Sequence, residues 1–215
     1  MIPPVRNYQK ELDALIDSFV REGRVPSLLL HSCCAPCSSS VLEYLTRYFK
    51  VTIFYYNPNI YPSEEYFRRV EEQKSLLTRM PMLHPVCFVE GPYDTDRYYR
   101  TIAGLEDAPE GGERCFRCYA LRLEEAARLA KRDSFDFFTT TLSVSPHKNA
   151  RKINDLGEGM AEKYGVHFLP SDFKKKNGYK RSVELSARYS LYRQDYCGCV
   201  FSQRAREIFE KSKAD

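Results

Sequence analysis

At 215 residues, 43% of them hydrophobic, the chain is long enough to bury roughly 70% of its unfolded surface as one ordinary domain, so neither a metal nor a disulfide is needed merely to make it compact. Thirty-three basic side chains against 29 acidic ones give a net charge of +4, which permits a nucleic-acid partner without demanding one. No apolar run reaches membrane-spanning length and the amino end, Met-Ile-Pro-Pro-Val-Arg, reads as loop-like with no secretory signal, so a cytoplasmic protein with no membrane partner is expected.

Residues 7–22 carry Leu12, Leu15, Ile16, Phe19 and Val20 at helical spacing, with Gly23 as a stop. The apolar stretch Ser27 to His31 reads as a strand. It gives way at Ser32-Cys33-Cys34-Ala35-Pro36-Cys37 to a helix expected over 38–49. A second strand is expected over 51–56, and Asn57-Pro58-Asn59-Ile60-Tyr61-Pro62 is too proline-rich to extend it. Ser63 then caps a charged helix running to about Arg79. Further strands are expected over 86–90, 135–140 and 166–169. A loop at 104–113 delivers Cys115-Phe116-Arg117-Cys118, a helix follows Cys118, and another covers 149–164. Strands alternating with helices predict an α/β fold, a doubly wound, mainly parallel five-stranded sheet. A single domain over 1–215 is expected, with its α/β core at about 24–170 and a carboxyl-terminal helical segment, 171–215, closing over the site.

Seven of the eight cysteines lie in three tight clusters, Cys33/Cys34/Cys37, Cys115/Cys118 and Cys197/Cys199; Cys87 stands alone in an apolar run and is assigned to the core. The first cluster sits where a strand passes into a helix, at the mouth of an α/β sheet, and positive potential at a helix N-terminus favours the thiolate. In a reducing compartment such clustering means metal or redox catalysis rather than a disulfide framework. Four thiolates hold zinc or an iron–sulfur cluster, and CxxC spacing does not choose between them. The excess of thiols over four and the rim position favour iron–sulfur. Cys37 with Cys197 or Cys199 then suggests a site for an additional iron ion. Cys197-Gly198-Cys199 can close a small, strained and easily reduced ring, a redox-active disulfide bond suited to electron relay. Asp195, Glu106 and His147 lie beside these motifs as candidate proton donors, and a carboxylate from Glu106, Asp107 or Glu110 is a candidate replacement for one thiol.

Five motifs together carry a resemblance: His-Ser-Cys-Cys-Ala-Pro-Cys after the first strand, Tyr-Asn-Pro-Asn-Ile-Tyr-Pro after the second, Glu-Gly-Gly-Glu-Arg-Cys-Phe-Arg-Cys-Tyr, Thr-Thr-Leu-Ser-Val-Ser-Pro-His-Lys, and Tyr-Arg-Gln-Asp-Tyr-Cys-Gly-Cys. From about residue 28 to 205 the chain resembles the QueH family of epoxyqueuosine reductases. The resemblance implies a fold like the adenine nucleotide alpha hydrolases and a 4Fe-4S cluster. It also implies the last step of queuosine synthesis, reductive removal of the epoxide oxygen of epoxyqueuosine at the tRNA wobble position, fed by an external electron donor. On this chain it makes Cys33, Cys34, Cys115 and Cys118 cluster ligands and Cys197 with Cys199 a redox-active pair. For such a substrate, Lys148, Arg181 and the basic run at 174–176 and 180 are candidate phosphate contacts, and Tyr56, Asn57, Asn59 and Tyr61 candidates for holding an unstacked base. Sulfonucleotide reductases are similar in cysteine spacing, but this chain has Ser32-Cys33-Cys34-Ala35-Pro36 in place of their Ser-Gly-Gly phosphate loop. That activity stands as the alternative, with a non-catalytic zinc-stabilised RNA-binding module as a third reading.

Overall fold

The computed structural model describes residues 6–214; the loop expected at residues 1–5 lies outside the described residues. Five parallel strands form one sheet in the order β3-β2-β1-β4-β5: β1 Ser27–His31, β2 Lys50–Tyr55, β3 Cys87–Glu90, β4 Phe137–Thr140 and β5 His167–Phe168. The central strand, β1, pairs with both β2 and β4. That position explains its unbroken run of leucines, since a strand covered on both faces has no polar side to alternate with.

Helices cover both faces. α1 (Tyr8–Arg21), α2 (Ala35–Leu45) and α3 (Ser63–Arg79) pack with Leu28, Leu30, Val51 and Ile53 on one. α4 (Thr95–Ile102), α5 (Glu113–Arg132) and α6 (Ala150–Tyr164) pack with Leu29, Phe54 and Phe138 on the other. Successive β1 residues thus feed opposite cores, as the two-residue period of a strand requires. Two carboxyl-terminal helices follow, α7 (Gly178–Arg188), which packs on α2, and α8 (Val200–Ala214). The α/β, doubly wound parallel sheet expected from the alternation is the architecture observed.

Three local departures have physical causes. The stretch between β3 and the CxxC contains α4, started by the Asp94 side chain accepting from Arg97 N–H. α5 begins at Glu113 instead of after Cys118, so both cysteines of the CxxC are helical. Cys87, assigned to the core, is exposed: β3 is an edge strand whose side chains are at most partly covered.

The β1/β4 register is tied at its amino end by Asp136. Its Oδ2 accepts from both the N–H and the hydroxyl of Ser27, each at 2.8 Å, while Ser27 Oγ accepts from Asp136 N–H at 2.9 Å. These bonds, with part-exposed Arg24 in support, hold the Asp136 carboxyl below its usual range. Asp136→Ala is expected to lower unfolding stability by about 1–2 kcal/mol near neutral pH. Because the folded pKa is depressed, the deficit relative to wild type should be full above pH 3.8 and shrink as pH falls through the folded value. Urea unfolding at several pH values measures this, and a deficit that vanishes already at pH 6 would remove the clamp from the account.

Candidate metal centre and the cavity beside it

The strand order turns at β1, whose neighbours lead away to β2 on one side and β4 on the other, and ligands of open α/β sheets settle at that switch point beyond the strand carboxyl ends. The first thiol group occupies it. Cys34 is extended (φ −174°, ψ 159°) and α2 starts immediately after it, with Pro36 in the first turn where its missing N–H costs nothing. Cys37 therefore lies on that turn facing back toward Cys34. The Sγ atoms of Cys33, Cys34 and Cys37 all lie within 4.8 Å of one another, a set of three sulfurs that can hold a metal. Thr141, just beyond β4, accepts from Cys33 N–H at 3.2 Å and lies 3.4 Å from its sulfur, toward which its own hydroxyl can point. Hydrogen bonds from Cys34, Cys37 and Thr141 hold the Cys33 thiol well below its ordinary pKa. The same sharing pushes Cys34 up to about 12, and Cys37 is raised as well.

A second thiol group faces the first. Cys115 and Cys118 lie one turn apart on α5, and Gly111 N–H donates to Cys115 Sγ at 3.3 Å. Burial pushes the Cys118 thiol up to about 12. These two line one narrow cleft together with Cys197 and Cys199. The Cys197-Gly198-Cys199 segment is anchored to the far side of the sheet: Tyr61 N–H donates to Gly198 O at 2.8 Å, and Arg69 Nη1 to Cys197 O at 3.3 Å. All eight cysteines are free thiols in the structure.

Beside both groups opens a cavity of about 670 Å³, into which Cys33, Cys37 and Cys197 project. Arg122, Cys197, Glu110 and Ser202 line both the cavity and the narrow cleft, so the two thiol groups adjoin. The donor set suits an iron–sulfur centre: six sulfurs, the preferred ligands of such clusters, line the two spaces, with Cys34 beside Cys33 and Cys37 and little competing carboxylate. Glu110 is the acid of the loop before Cys115 that reaches both spaces, whereas Glu106 and Asp107 are exposed and the Glu106 carbonyl accepts from Arg114.

The other residues singled out from the sequence separate into two sets. Lys148, Asp195 and His147 line the cavity, and Asp195 accepts from Arg206 Nε at 3.3 Å. Burial alone would lower the Lys148 pKa; the sulfurs of Cys197, Cys33 and Cys37 outweigh it and keep the ammonium charged. Tyr56 and Asn57 are buried and do not line the cavity. The Tyr56 ring stacks on Phe54, and Asn57 shapes the thiol turn, Nδ2 donating to Ser32 O at 2.8 Å. Asn59 is buried at the narrow cleft. Arg181 lies off the cavity, paired with Glu43 at 2.7 Å; Lys174 and Lys176 pair with Asp172 and Asp13. Cavity residues given no role from the sequence include Arg122, Arg193, Tyr179, Tyr196 and Phe209. Arg193 and Tyr196 stand in the motif that ends in Cys197 and Cys199, and Arg122 falls four residues after Cys118, one helical turn along the same face.

Comparison with known proteins agrees with this geometry. A family described as "Epoxyqueuosine reductase QueH" matches residues 28–205. The epoxyqueuosine reductase QueH of Streptococcus pyogenes serotype M1 is 42% identical over 204 residues, covering 94% of this chain and 80% of that protein. The QueH of Staphylococcus epidermidis is 42% identical over 206 residues, covering 94% and 87%. The Thermotoga maritima QueH is 37% identical over 182 residues, covering 82% and 90%. A match spanning the strands, both thiol groups and the cavity walls places this chain in the QueH family of epoxyqueuosine reductases.

Proposed function

We propose that the protein reduces the epoxide of epoxyqueuosine in tRNA to the alkene of queuosine, in the cytoplasm, with a 4Fe-4S cluster on Cys33, Cys34, Cys115 and Cys118. The observation that carries this reading is the gathering of six thiols along an open cavity and the cleft adjoining it at the sheet's switch point, with Cys34 beside Cys33 and Cys37. Cys37 with Cys197 or Cys199 is the donor set for an additional iron. When bound, these centres supply single electrons and a Lewis acid for the epoxide oxygen.

The chain's own groups account for the rest. Deoxygenation breaks both epoxide C–O bonds, forms a C=C bond and releases water, consuming two electrons and two protons. Oxidation of the Cys197/Cys199 dithiol to its disulfide releases two electrons and two protons, and an external donor reopens it. Lys148, charged and in the wall beside Cys33, Cys37 and Cys197, is placed to steady negative charge developing on the departing oxygen. Asp195, on the same wall, is the proton donor nearest the dithiol in sequence. Arg193 and Tyr179, on the cavity's α7 side, offer a phosphate contact and a stacking face for a nucleotide turned out of its stack.

Four outcomes are expected. Anaerobically prepared protein should be brown, contain labile sulfide and convert epoxyqueuosine tRNA to queuosine tRNA under dithionite, while adenylyl sulfate yields no sulfite. Cys33→Ser and Cys115→Ser should lose the sulfide and the conversion together, and a colourless, inactive preparation with one zinc per chain would favour the RNA-binding module. Cys197→Ser and Cys199→Ser should retain labile sulfide but lose multiple turnover; full turnover in both would end the relay role. Lys148→Gln should slow single-turnover conversion of bound tRNA, whereas Arg193→Gln should weaken tRNA binding and flatten its dependence on log salt by about one unit for the phosphate contact removed. An unchanged slope would take that side chain off the phosphate path.

A further inference from the structure

Arg122 is 2% exposed and forms no ion pair with a carboxylate among the described residues. Nε donates to Cys118 O at 3.2 Å, Nη1 donates to Asn57 Oδ1 at 3.3 Å, and Nη2 has no partner. Its ring neighbour is Tyr119, whose centroid lies 5.7 Å from the guanidinium carbon. Burying a cation in this way costs several kcal/mol unless negative charge answers it. The sulfurs of Cys118, Cys197 and Cys33 act on the guanidinium from the two thiol groups it lies between, as does the Tyr119 hydroxyl, while Glu110 lines the same two spaces without pairing with it. Arginine, unlike lysine, cannot shed its proton to escape the cost.

We propose that Arg122 is the built-in counter-charge of the thiolate-ligated centre, set to favour its more negative, reduced state. This rests on the cluster proposed above. Reduction adds an electron beside a fixed positive charge, so removing the guanidinium makes reduction harder. Arg122 acts through the ligands and Asn57 as a positioning residue.

The test is a redox titration, followed by absorbance, of wild type, Arg122→Gln and Arg122→Lys matched for iron and sulfide content. Arg122→Gln should disfavour one-electron reduction about tenfold, ~59 mV toward negative potential. Arg122→Lys should recover the shift at pH values where the lysine is charged and lose it as pH rises through the lysine's pKa. Equal potentials in wild type and Arg122→Gln overturn the assignment while leaving the cluster standing; wild type without iron and sulfide overturns both. Should Arg122→Gln not hold a cluster, thermal melting of metal-free and loaded Arg122→Met decides. The metal-free variant should melt no lower than metal-free wild type, since an unanswered buried charge has been removed, and should gain less on loading. Equal losses in both states would make Arg122 purely structural.

Discussion

In a parallel sheet every strand ends on the same rim, and that constraint lets cysteines scattered from position 33 to position 199 meet. β1 delivers Cys33 and Cys34, α2 turns Cys37 back beside them, and β4 delivers Thr141 to hold the Cys33 amide. α5 starts at the same rim with Cys115 and Cys118. An antiparallel arrangement would send alternate strands to opposite ends and separate these groups by the length of the sheet. The register between β1 and β4 therefore matters beyond stability, because it sets Thr141 against Cys33.

The walls are held by charges that are unusual for a protein interior. Arg69 is 2% exposed yet pairs with Glu65 at 2.7 Å and reaches the carbonyl of Cys197. Its guanidinium also lies over the Tyr196 ring, while Glu65 accepts from Tyr192. One buried ion pair on α3 thus fixes several points of the segment that carries Cys197 and Cys199. Breaking such a pair leaves a bare charge, which is why it rigidifies its surroundings even when its net contribution to stability is small.

The fold was readable because its signals are local. The apolar run marks β1 and Asn149 opens α6 as its cap, whereas the helix expected over 38–49 starts at Ala35 and ends at Leu45, because proline in its first turn lets it begin inside the thiol motif. The cysteines were readable as clusters, since a short spacing survives in one dimension. What a tertiary turn brings together was not. Asn57 and Tyr56 stand in a loop motif and look available to a ligand, yet the loop folds inward and spends the Asn57 amide on Ser32. Arg181 sits in a basic run that looks open to phosphate, but α7 packs on α2 and sets it against Glu43. Charge counted along a chain says nothing of the carboxylate waiting 138 residues away.

Glycine at 198 shows how tightly the segment from Cys197 to Cys199 is specified. Its φ of +124° lies in a region that side chains avoid, and a Cβ there would come 3.0 Å from Arg69 Nη1 and 3.1 Å from Ile60 Cγ1. Backbone torsion and close approach exclude a larger residue for separate reasons. The space that a side chain would fill is taken by the arginine that holds Cys197 O, and Gly198 O is in turn the acceptor for Tyr61 N–H. A residue with φ in its ordinary range would redirect the two flanking cysteines and remove one from the cleft it shares with Cys115 and Cys118. The pair is therefore positioned by its backbone, and the Cys199 thiol donates to Ser202 Oγ at 3.4 Å.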